Sequence, residues 1–198
     1  MSAVQYDREA LSRRLAPLPV ASRVLFSLLC SERLRVCCWA FAWHARHDVS
    51  AYEHGLALVT SHLLGTDLVS PQRLREAIAA VDQAVPRSDD FGYPLASQAQ
   101  AAMVALLCAL EDLQNDEPLS STEAAEAVVE ALDNFEAESQ LRLSGVAAIH
   151  DDYPLLAREV QWHLQVLSAL ESRASLSLPE LTRALRLGNR NFVVPPVA

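Results

Sequence analysis

Leucine and alanine return at three- and four-residue intervals along most of this chain, and that spacing constrains its fold more than any other feature. Together they fill 63 of 198 positions, while glycine appears only five times. Both are strong helix formers, and the 51% hydrophobic content is ample for a sizeable core. The expected fold class is all-α, a bundle of seven or eight helices joined by short loops. A single domain is expected over residues 1–198, with 1–6 and 189–198 as loosely structured ends.

The punctuation sets the boundaries. A first helix is expected from Asp7 to Leu15, stopped by Pro17 and Pro19. The next opens at Pro19 and runs through Val24, Leu25, Leu28 and Leu29 to about Arg33. An apolar segment from Cys37 to His47 follows. No breaker separates the two, so one helix and two remain equally open. Ser50 with Glu53 has the form of a capping box, and Gly65 fits the far end of that helix. Ser70-Pro71 opens a helix that Pro86 ends, and a long helix follows from Pro94. Ser120 with Glu123, Pro154, and Ser177 with Glu180 open the last three.

Composition excludes several classes of chemistry. All 16 basic residues are arginine. A phosphate-loop lysine, a kinase strand lysine and a pyridoxal Schiff base are therefore impossible from this chain's own residues. The scattered glycines allow neither a dinucleotide-binding G-x-G-x-x-G nor a G-x-S-x-G nucleophile elbow. The net charge of −9 opposes nucleic-acid binding. Residues 76–140 hold fourteen of the acids against Arg87 alone. Such a stretch reads first as a solvated helix face and second as a docking surface for a basic protein partner. Cys30, Cys37, Cys38 and Cys108 all lie in apolar surroundings, so reduced, packed thiols and a cytoplasmic location are expected. The first fourteen residues lack the apolar stretch of a signal peptide, and no apolar run is long enough for a membrane span.

Several motifs occur in a recognisable order. Glu32-Arg33 closes an apolar helix, and Phe41 follows eight residues on. A Pro86-x-Ser88-Asp89-Asp90-Phe91 loop precedes Tyr93. Glu159 and Gln161 sit on a late helix, before a Gly188-Asn189-x-Asn191 turn. Together these resemble the YjaG-like bacterial family, domain of unknown function 416, over roughly Leu15 to Val194. The resemblance implies an all-helical, cytosolic single domain and no assigned activity. Two departures stand out. Val36-Cys37-Cys38 occupies the place of the family's Pro-Asn-Tyr, and Thr60-Ser61 that of its Trp-Glu. Any site built on those family positions would be changed here.

The candidate site residues fall into groups. Ser88, Asp89 and Asp90, with Glu159 and Gln161, are the ligand-binding candidates. Their plainer reading is a turn and helix cap, with Phe91 and Tyr93 plugging the core. Two adjacent carboxylates also suit a cation or acid–base work. His44 and His47, three residues apart, are metal candidates with Cys37 or Cys38 as a thiolate, or else end-of-helix cations. Trp39 and Trp43 share a helix face that Phe41 does not. That face reads first as core and second as a homodimer seam. His163 lies on the apolar stripe of its helix and reads as a core histidine. The acids Glu123, Glu126, Glu130 and Glu136 are the contact candidates for a basic partner. No catalytic residue and no cofactor is expected. The leading function is a non-catalytic protein-interaction or regulatory module, and the alternative is a metal-dependent hydrolase or small-ligand-binding protein using the Asp89/Asp90 loop.

Overall fold

Nine helices form among the described residues, which in the computed structural model are 6–87, 95–143, 154–172 and 177–188; no strand occurs among them. They are α1 (Arg8–Leu15), α2 (Val20–Arg33), α3 (Arg35–Ala45), α4 (Ser50–Leu63), α5 (Pro71–Ala84), α6 (Ala96–Asn115), α7 (Pro118–Leu143), α8 (Pro154–Glu171) and α9 (Leu178–Gly188). The expected seven or eight become nine because α2 and α3 are separate helices. Leu34 makes the corner with φ −100° and ψ 3°, and its N–H turns back to the Ser31 carbonyl at 3.1 Å. No proline or glycine breaks the chain there. Leu34 is wholly buried, so packing makes the corner and propensity does not.

Capping explains most other boundaries. Asp7 accepts the Ala10 N–H at 2.9 Å and opens α1. Ser70 accepts the Arg73 N–H, with Pro71 at the first helical position of α5. Ser177 donates both its N–H and its hydroxyl to Glu180 and opens α9. Gly65, at φ +69°, ends α4 in a Schellman turn. Its N–H meets the His62 carbonyl, and the Thr66 N–H meets that of Ser61. Two expected boxes differ. Asp48 accepts the Ser50 N–H at 2.8 Å, which leaves Glu53 free for other work. α7 opens at Pro118, so Ser120 lies inside the helix.

The core is one cluster running from Leu11 in α1 to Leu181 in α9. α6 is its centre and packs against α2, α3, α4, α5 and α7. Its small residues, Ala99, Ala102, Ala105 and Ala109, are fully buried and let neighbouring helices approach closely. α7 also meets α1, α2 and α8, while α9 lies on α2 and α4. Arg23 is one of several charged residues buried with this core. Arg23 on α2 reaches Asp112 on α6 at 2.8 and 3.1 Å, Asp116 at 2.5 Å and the Leu18 carbonyl at 2.7 Å. A buried guanidinium needs such partners, because stripping its water without replacing it costs several kcal/mol. No described helix is long and apolar enough to cross a membrane.

Candidate functional site

The chemistry-bearing side chains converge where the end of α2 meets α8. Glu159 is wholly buried, and both its oxygens face the Arg33 guanidinium, with contacts of 3.2, 3.0 and 2.5 Å. Burial pushes the Glu159 carboxyl above its ordinary range, although the Arg33 fork pulls it down. Trp162 stacks on the same guanidinium, 4.6 Å from its ring centre. One turn after Glu159, His163 brings Nε2 to 3.5 Å from Glu159 Oε1 and 3.7 Å from Cys30 Sγ. The rings of Phe26 and Trp162 lie 5.6 and 5.4 Å from the imidazole.

Cysteine, histidine and glutamate in contact invite comparison with a nucleophilic triad, and the geometry argues against one. A relay uses both ring nitrogens, one toward the nucleophile and one toward the carboxylate. Here Nε2 faces both groups, and Nδ1 has no partner. Burial, then Arg33, drives the His163 pKa down to about 3, so the ring is neutral and a poor proton carrier. Burial also raises the Cys30 thiol well above its usual range, with Glu159 adding to it. The unreactive thiol rather than the thiolate is therefore the resident form. Cys37, Cys38 and Cys108 are pushed up to about 12 by burial, matching the expected packed thiols.

Other candidates sit apart from this cluster. Gln161 lies on the exposed side of α8, so it does not share Glu159's surroundings. Ser88, Asp89 and Asp90 lie outside the described residues, as do Phe91 and Tyr93. His44 is exposed in the last turn of α3. His47 meets the Ala84 carbonyl at 2.7 Å and tilts against Phe41. No group of three or more His, Cys, Asp or Glu is placed to hold a metal among the described residues. Glu123 and Glu130 are exposed on α7, whereas Glu126 pairs with Arg8 at 3.2 Å. Glu136 turns inward and accepts the Leu155 N–H at 2.6 Å, capping α8. Burial raises its carboxyl while that contact and the Leu156 N–H lower it.

The aromatic face departs from its first reading. Phe41 enters the core at 1% exposure, whereas Trp39 and Trp43 stand outward at 47% and 83%. Cys37, Cys38 and Phe41 already fill α3's inner face, and the indoles occupy the opposite side. Trp39 is held in place there. Its Nε1 donates to Glu53 at 2.7 Å, and Arg35 stacks on its ring at 4.6 Å while also pairing with Glu53.

A crystal structure of a DUF416 family protein from Shewanella baltica OS155 superposes with a TM-score of 0.74, at 17% sequence identity. The match covers 90% of this chain and 92% of that one. The fold is that of a DUF416 family protein. No family model matches the sequence, and no curated protein does. The residues that carried the family resemblance also find structural roles. Glu32 pairs with Arg186 of α9 at 2.8 Å, and its neighbour Arg33 pairs with Glu159 of α8. One dipeptide thus ties α2 to both later helices. At the departures, Val36 is exposed, Cys37 and Cys38 are buried, and Thr60-Ser61 sits in the last turn of α4. Gly188 ends α9; Asn189 and Asn191 lie outside the described residues.

Proposed function

We propose that this chain is a divergent member of the DUF416 family, one domain acting in the cytoplasm as a non-catalytic protein-interaction or regulatory module. Its acidic face meets a basic partner. What supports the reading is a set of carboxylates without a neutralising ion pair among the described residues. Glu111 on α6 is raised above its ordinary range by burial, and then by the charges of Glu123 on α7 and Asp82 on α5. Like charges on three neighbouring helices repel one another, and a basic surface would relieve that repulsion while steering encounter. The interior points the same way. Arg33, Glu159, His163 and the four thiols are engaged with one another or sealed off from solvent.

Capture experiments test this. The protein should retain a basic partner at low salt and lose it as ionic strength rises. Glu123→Arg with Glu130→Arg should abolish retention while leaving the helical circular dichroism unchanged. Retention indifferent to both salt and charge reversal rejects the reading.

A further inference from the structure

We draw no further inference here: the strongest candidate, the exposed apolar stripe of Val36, Trp39 and Trp43 on the outer face of α3, carries none, because nothing in the structure shows what covers it.

Discussion

Arg33 and Glu159 meet where water does not reach, and the energetics of such a pair are asymmetric. Removing one partner strands the other's charge. Glu159→Ala should therefore cost about 3–5 kcal/mol in urea unfolding, whereas Arg33→Leu with Glu159→Leu should recover most of it. His163 beside them carries a pH dependence with a definite sign. Its pKa falls from 6.5 to about 3 on folding, so below pH 6.5 the unfolded chain takes up a proton that the folded chain refuses. Stability from this group is complete above pH 6.5 and drains away toward pH 3. The loss between pH 7 and 4.5 is about 2–3 kcal/mol. Glu111, Asp112, Glu136 and Glu159 have raised carboxyls and act in the opposite sense, gaining stability as acid protonates them. His163→Leu should accordingly show a flatter, or inverted, acid slope than the parent chain, measured by urea midpoints across that range. Part of this cluster is legible in sequence. Glu159 and His163 are four apart and share a helix face. Their pairing with Arg33 and Cys30 is not, because the partners lie 126 and 133 positions apart in sequence and no local rule selects among sixteen arginines.

At the scale of elements, the caps that reading recovers are those in which a short polar side chain meets its own helix, as at Asp7, Ser70 and Ser177. The ones it misplaces are decided by competition. Glu53 is drawn away to Arg35 and Trp39, and Asp48 takes over at Ser50. The corner at Leu34 and the outward turn of Trp39 and Trp43 were likewise hidden, because each depends on which face of a wholly apolar segment finds room against α6. Two glycines test how tightly the elements are fitted. Gly65 holds φ +69°, with open space around it. Gly65→Ala should cost about 1–2 kcal/mol, all of it backbone strain. Gly55 is the reverse case, a helical glycine where α4 crosses α5 and α6. A Cβ there would stand 2.9 Å from Leu106 Cδ2 and 3.2 Å from Val81 Cγ2. Gly55→Val should destabilise by about 1–3 kcal/mol through overpacking, despite removing a poor helix former. Guanidinium unfolding of the two variants separates strain from crowding, since only Gly55→Val should be partly rescued by Leu106→Ala.

Across the whole molecule, the long-range ties run from both later helices back to α2. Arg186 of α9 reaches Glu32, Glu159 of α8 reaches Arg33, and Arg14 of α1 reaches Glu171 of α8 at 2.7 Å. The exposed Arg14 pair is worth little by itself, yet it joins the first described helix to the eighth. The same cluster of buried side chains includes Leu11, Leu106, Leu167 and Leu181. Among the described residues, a core shared in this way offers no seam at which part of the chain would melt while the rest stands. Unfolding should therefore be a single cooperative transition. Trp162 is well placed to report on it, half-buried against Arg33, while Trp39 and Trp43 face solvent and would blur the signal. In a Trp39→Phe, Trp43→Phe variant, the fluorescence of Trp162 and the far-ultraviolet circular dichroism should trace superimposable curves in urea. Two separated transitions would mean that α8 and α9 form a unit with its own stability, and that the ties at Glu32 and Arg33 join two bodies rather than complete one.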